Sequence, residues 1–122
     1  MLNKPFFAHF FALFLLLTTC SVRADVQTLL QMVENMAVDF PEAVQGGQVI
    51  NEVKYAQILE SAQHIKSEIN QLDDSAVLDD LKGIATELGD AVVSKAPPFM
   101  IEEQTRALRR LIMAGYTTDQ SP

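Results

Sequence analysis

Apolar residues recur at intervals of three and four in four stretches of this chain, and this repetition constrains the fold most strongly. Such spacing places the apolar residues along one side of a helix, whereas no stretch alternates with the period of two that is typical of strands. Four amphipathic helices joined by short connections bury their stripes most simply as antiparallel neighbours. The sequence therefore predicts an all-α fold, a four-helix up-down bundle over residues 25–116. The four stripes are Val26, Leu29, Leu30, Val33, Met36, Ala37 and Phe40; Tyr55, Ile58, Leu59, Ala62, Ile65, Ile69 and Leu72; Leu78, Leu81, Ile84, Ala85, Leu88, Ala91 and Val92; and Ile101, Leu108, Leu111, Ile112 and Gly115.

Local signals predict where the helices begin and end. Pro41 is expected to end the first helix, and Asn51 is expected to cap the second. Asp74-Ser75 indicates the start of the third helix, and Ala96-Pro97-Pro98 indicates its end. Between the first two helices, Val49 and Ile50 are expected to pack into the mouth of the bundle. Residues 117–122 are predicted to form a disordered tail.

The N-terminus has the organisation of a secretory signal peptide. Lys4 precedes an apolar run over residues 6–17, and Val22-Arg23-Ala24 provides a cleavage site. The run is short for a membrane span, so cleavage is favoured over an uncleaved anchor. Leu17-Thr18-Thr19-Cys20 resembles a lipidation site, but Thr19 is bulky for its position, and cleavage after Ala24 is preferred. We expect residues 1–24 to be removed and the product to be periplasmic, with no segment inserted in the membrane.

Charge and cysteine content limit the possible functions. Removal of residues 1–24 takes away Lys4 and Arg23 but no acid, which changes the formal net charge from −7 to about −9. So acidic a domain is not expected to bind nucleic acid or anionic lipid, and it suits cationic partners, including metal ions, although acidity also serves solubility. Cys20 is the only cysteine, and no phosphate-binding loop or nucleophile motif is found. The sequence therefore predicts that the protein is not an enzyme.

One group of residues could hold a metal ion. Glu60, His64 and Glu68 are spaced by four, so they lie along one flank of the second helix, and Asp39 or Glu42 could add a carboxylate. The favoured alternative is a solvated helix face, because a single helix presents a line of ligands and not a cage.

A non-covalent haem is a further alternative. It would need His64 with Met32 or Met36 as axial ligands. Methionines at helical spacing are usually core residues, so this interpretation is disfavoured.

The stretch VDFPEAVQGGQVINEVKYAQILE, residues 38–60, together with the leucines before it, resembles a known family. It is similar to the N-terminal extracytoplasmic region of bacterial members of the high-affinity iron permease family. The chain departs from that pattern at Phe40, Lys54, Gln57 and Ile58. The residues at corresponding places are Leu29, Leu30, Val38, Asp39, Pro41, Ala43, Val44, Gly47, Val49, Asn51, Glu52, Tyr55 and Glu60.

The resemblance implies a detached accessory domain of iron uptake. Family members usually continue into a cytochrome c-like segment or a membrane permease, but this chain has neither C-x-x-C-H nor R-E-x-x-E. The expected function is therefore non-enzymatic docking to an iron permease or a cytochrome c. The candidate partner- or ion-binding residues are Asp39, Glu42, Glu52, Tyr55 and Glu60. The alternatives are a periplasmic protein that binds iron or another divalent metal, and an unrelated small secreted helical binding protein.

Overall fold

The protein is described by a computed structural model that covers residues 25–116. Helices α1 (Asp25–Ala43), α2 (Glu52–Asn70), α3 (Leu78–Val93) and α4 (Pro98–Tyr116) pack in a closed ring in which α1 contacts α2 and α4, and α3 contacts the same two. Two short strands, β1 (Val44–Gln45) and β2 (Gln48–Val49), join α1 to α2. The all-α bundle is thus confirmed. The predicted signal peptide, Cys20 and the tail 117–122 lie outside the described residues.

The core is built from the predicted stripes. Each helix contributes large side chains that are almost fully buried, with Phe40 the largest, and Met36 is among them. Thr105 is the buried polar residue of the described part, and its Oγ1 donates to the carbonyl of Glu102 at 3.0 Å, which satisfies the hydroxyl within α4. Met32 packs against the core with Met36, so both methionines serve as core residues.

The first correction concerns Pro41, which does not end α1. The helix continues through Pro41 to Ala43. Proline lacks the N–H that would bond the carbonyl four residues earlier, but it leaves the following N–H groups in place, so one more short turn can form.

The second correction concerns strands, which the sequence was expected to lack. Val44 pairs with Val49 and Gln45 with Gln48, and the turn between them is made by Gly46 (φ 58°) and Gly47 (φ 76°). Two consecutive residues with positive φ are what a tight two-residue hairpin turn of type I′ requires, and glycine adopts them without steric cost. The sequence did contain a signal for this hairpin, because the Gly-Gly pair lies between two short segments that each combine an apolar and a polar residue.

The connections also differ in detail from the expectations. Ile50 is 55% exposed, whereas Val49 packs partly on the core as predicted. The Asn51 side chain accepts from the Lys54 N–H at 3.0 Å, which confirms the predicted cap. Helix α3 begins at Leu78, after a loop that contains Asp74.

The bundle has two distinct ends. The hairpin end comprises the C-terminal turns of α1 and α3, the hairpin, and the N-terminal turns of α2 and α4. The far end holds the start of α1 and the 71–77 loop, where the Tyr116 hydroxyl donates to the carbonyl of Asp73 at 2.6 Å and accepts from Ser75 at 2.9 Å. Between residues 25 and 116, no helix has both the length and the apolar character needed to cross a membrane.

Candidate functional site

Most of the residues that carry the family resemblance, those from Val38 to Tyr55, lie at the hairpin end. The carbonyl of Ala43, at the end of α1, accepts from the N–H of Ile50 at 2.7 Å and from that of Asn51 at 3.3 Å. These bonds close the hairpin and set the start of α2 beside the end of α1. Residues distant in sequence, such as Asp39 and Glu52, are thereby brought to the same end of the molecule.

A charge cluster joins α1 to α2 at this end. The Lys54 ammonium forms an ion pair with the exposed Glu42 carboxylate, and Asp39 lies near enough to act on Lys54 through its charge. The hydrogen bond to Glu42 raises the pKa of Lys54 above its usual range, and the charges of Glu42 and Asp39 act in the same direction, whereas desolvation opposes them. The Lys54 ammonium is therefore charged at neutral pH and loses its proton in strongly alkaline solution, as the pH rises through the raised pKa of Lys54.

Tyr55 connects α2 to α3. Its hydroxyl donates to the carbonyl of Val92 at 2.9 Å, one of the carbonyls at the end of α3 that lacks a partner within a regular helix. Its ring lies under the Lys95 ammonium, 5.6 Å from the ring centroid. The structure therefore gives Tyr55 a structural role in addition to the binding role implied by the resemblance.

Lys95 occupies a position that usually belongs to glycine. The Ala96 N–H bonds the carbonyl of Ala91 at 2.9 Å, and the Lys95 N–H bonds that of Val92 at 3.2 Å, the pattern of a Schellman motif. Lys95 has φ 57°, a left-handed conformation that costs a residue with a side chain about 1–2 kcal/mol. The strain is localised between α3 and α4, beside Tyr55.

Glu60 lies away from the charge cluster, on the opposite flank of α2. It lines a groove of about 380 Å³ between α2 and α3, together with Lys66, Asp90 and Val93. Gly89 also lines the groove, and a Cβ added there would meet no atom within 4 Å. The groove is therefore open, carries carboxylates on both helices, and runs from the middle of the bundle toward the hairpin end.

The candidate metal ligands form a pair. His64 Nε2 lies 3.4 Å from Glu68 Oε1, and the His64 side chain is exposed. Within residues 25–116, no group of three or more histidine, cysteine or acidic side chains is placed so as to hold a metal ion. Glu60 is not brought into contact with His64, and Asp39 and Glu42 lie with Lys54 instead.

Sequence reasoning missed the apolar residues on the hairpin end. Ile50, Val53, Val93, Phe99 and Met100 are all exposed, Val53 by 71% and Phe99 by 64%. The sequence did contain a signal, because these residues fall outside the four apolar stripes, although Met32 and Val44 also do so and still pack in the core or against it. Apolar residues off the helical stripe are the pattern to look for.

Compared with protein-family models, curated protein sequences and solved structures, the chain matches none of them.

Proposed function

We propose that this protein is a non-catalytic accessory domain of iron uptake, which works outside the cytoplasm by docking to a permease or a redox partner. The observation that carries the proposal is the resemblance of residues 29–60 to the extracytoplasmic region of high-affinity iron permeases. That segment supplies most of α1, the hairpin and the first half of α2. Its middle part, from the end of α1 to the start of α2, therefore forms a large part of the hairpin end.

The geometry supports docking as the mode of action. Asp39, Glu42 and Glu52 lie at the hairpin end with the exposed apolar residues, and an ion pair and the Tyr55 hydrogen bond hold that end together. A surface that combines apolar and acidic side chains suits recognition of another protein.

The proposal is tested by deleting the gene and measuring uptake of radiolabelled iron under iron limitation. We expect slower uptake, restored by the wild-type gene on a plasmid, while uptake of magnesium remains unchanged as a control. Unchanged iron uptake in the deletion strain would contradict the connection with iron.

A further inference from the structure

We propose that the hairpin end is the docking surface for a partner protein whose contact region is apolar at its centre and surrounded by lysine or arginine. The surface is defined by the exposed side chains Ile50, Val53, Val93, Phe99 and Met100. The inference rests on the docking function proposed above, but not on its connection with iron.

The first observation is where the exposed apolar side chains lie. Residues 25–116 contain seven large apolar side chains that are exposed, and five of them belong to the hairpin end. The core beneath is already complete at this end, since Phe40, Val44 and Ile101 are almost fully buried. The five therefore leave much of their apolar surface uncovered by the chain itself, and apolar side chains gathered on one part of a surface mark interaction sites.

The second observation is the charge around them. Lys54 forms an ion pair with Glu42, and the Lys95 ammonium lies over the Tyr55 ring. Among the described residues, no ion pair is formed by the neighbouring acids, which are Glu52, Asp90 and Glu103. A complementary partner must therefore be positively charged, and a second copy of this chain would place acids against acids.

The third observation is the groove between α2 and α3. Val93 lies at its hairpin-end edge, and Glu60 and Asp90 line it from opposite helices, whereas Lys66 lines it from α2 on the side of the far end. Because Gly89 has no side chain, the groove of about 380 Å³ has room for a long side chain of a partner protein. A lysine or arginine of the partner can lie between the two carboxylates while neighbouring apolar residues cover Val93.

The location is tested by photocrosslinking with the full chain in the cells that produce it. p-Benzoylphenylalanine replaces Val53 or Phe99 at the hairpin end, or Ala114 near the far end as a control. We expect adducts with one partner from positions 53 and 99 but not from 114, and a crosslinked partner segment with apolar residues beside lysine or arginine. The proposal is overturned by the absence of adducts, by adducts made only of two copies of this chain, by equal yields from 114, or by a segment without basic residues.

The chemistry is tested with a synthetic peptide of the crosslinked segment. We expect Val53→Ser and Phe99→Ser each to weaken binding about 10-fold or more, as for central interface residues, while Ala114→Ser changes nothing. Asp90→Asn should weaken binding in about 0.05 M salt, and the difference should shrink in about 0.5 M salt because exposed charges are screened. Circular dichroism checks that the variants fold, and equal affinities for all of them would refute the surface.

The two proposals fail in different ways. Crosslinks at the hairpin end with unchanged iron uptake in the deletion strain would reject the connection with iron and leave the surface in place. Impaired iron uptake without hairpin-end crosslinks would do the reverse.

Discussion

At the scale of single residues, the two tyrosines of the chain perform similar tasks at opposite ends of the bundle. Tyr55 bonds the carbonyl of Val92 at the hairpin end, and Tyr116 bonds that of Asp73 at the far end. Each joins segments about forty residues apart in sequence by satisfying a backbone carbonyl outside regular helical bonding. Tyr55 therefore has a structural role, and the contribution of its hydroxyl to stability can be measured by removing the hydroxyl alone.

We expect Tyr55→Phe to lower the free energy of unfolding by about 1 kcal/mol, because it removes one hydrogen bond and leaves the Val92 carbonyl without that donor. Urea denaturation measures the change. Val53→Ala, at a side chain that is 71% exposed, is the control and should change stability by less than about 0.5 kcal/mol. An unchanged midpoint for Tyr55→Phe would show that the hydrogen bond does not stabilise the fold.

Lys95 gives a second residue-scale prediction. Lys95→Gly and Lys95→Ala both remove the ammonium from the Tyr55 ring, but only glycine relieves the strain of φ 57°. We therefore expect the glycine variant to be more stable than the alanine variant by about 1 kcal/mol. Thermal unfolding of the two proteins side by side compares them, and equal stabilities would argue against strain at this position.

At the scale of elements, the hairpin between α1 and α2 organises the candidate site. Its positive-φ turn returns the chain within six residues from Val44 to Val49, and its closing bonds from Ile50 and Asn51 end at the carbonyl of Ala43. The hairpin therefore fixes the angle at which α2 leaves α1. The charge cluster of Asp39, Glu42 and Lys54 depends on that geometry.

The same substitution should have opposite effects at two glycines. Gly46→Ala places a side chain in a left-handed conformation and should destabilise the protein by about 1 kcal/mol. Gly83→Ala lies in α3 with no atom within 4 Å of the new Cβ, and it should stabilise by about 0.5–1 kcal/mol. Denaturation of both variants provides the comparison, and a stabilising Gly46→Ala would contradict the turn.

At the scale of the whole molecule, the core and the proposed docking surface occupy different parts of the bundle. The core is continuous from end to end, while five of the seven exposed large apolar side chains of residues 25–116 and the joined ends of α1 and α2 lie at the hairpin end. The far end is held by Tyr116 and by the close approach of Gly115 to Val77, where an added Cβ would lie 2.5 Å from a methyl carbon. The hairpin end can therefore vary in its surface residues without loss of the core.

The metal hypothesis has its own whole-molecule test. Of the three candidate ligands Glu60, His64 and Glu68, only His64 and Glu68 are in contact, and the His64 side chain is exposed. We therefore expect that calorimetry with ferrous, ferric and cupric ions at micromolar concentrations detects no binding heat that depends on these three residues. Glu60→Gln, His64→Ala and Glu68→Gln are the matched variants. Heat that is present for the wild type and lost in these variants would establish a site there.

The sequence by itself determined the helices and their buried faces, because a stripe of apolar residues at helical spacing can be buried in few ways. Leu29, Ile65, Leu88 and Leu108 all lie in the core, as their stripes predicted. The Asn51 cap and the Glu102–Arg106 ion pair at 2.9 Å are also determined locally, because the two residues in each interaction are three or four positions apart in one helix or at its start.

Only the tertiary structure decided what the hairpin end contains. Tyr55 donates a hydrogen bond to Val92, Lys95 lies over the Tyr55 ring, and Glu60 lines the same groove as Asp90. These contacts form because segments far apart in sequence pack as neighbours. The extension of α1 past Pro41 and the exposure of Phe99 likewise depend on how the chain packs around them. Local periodicity specifies which face of a helix is buried, but which exposed side chains gather at one end follows from the packing of all four helices.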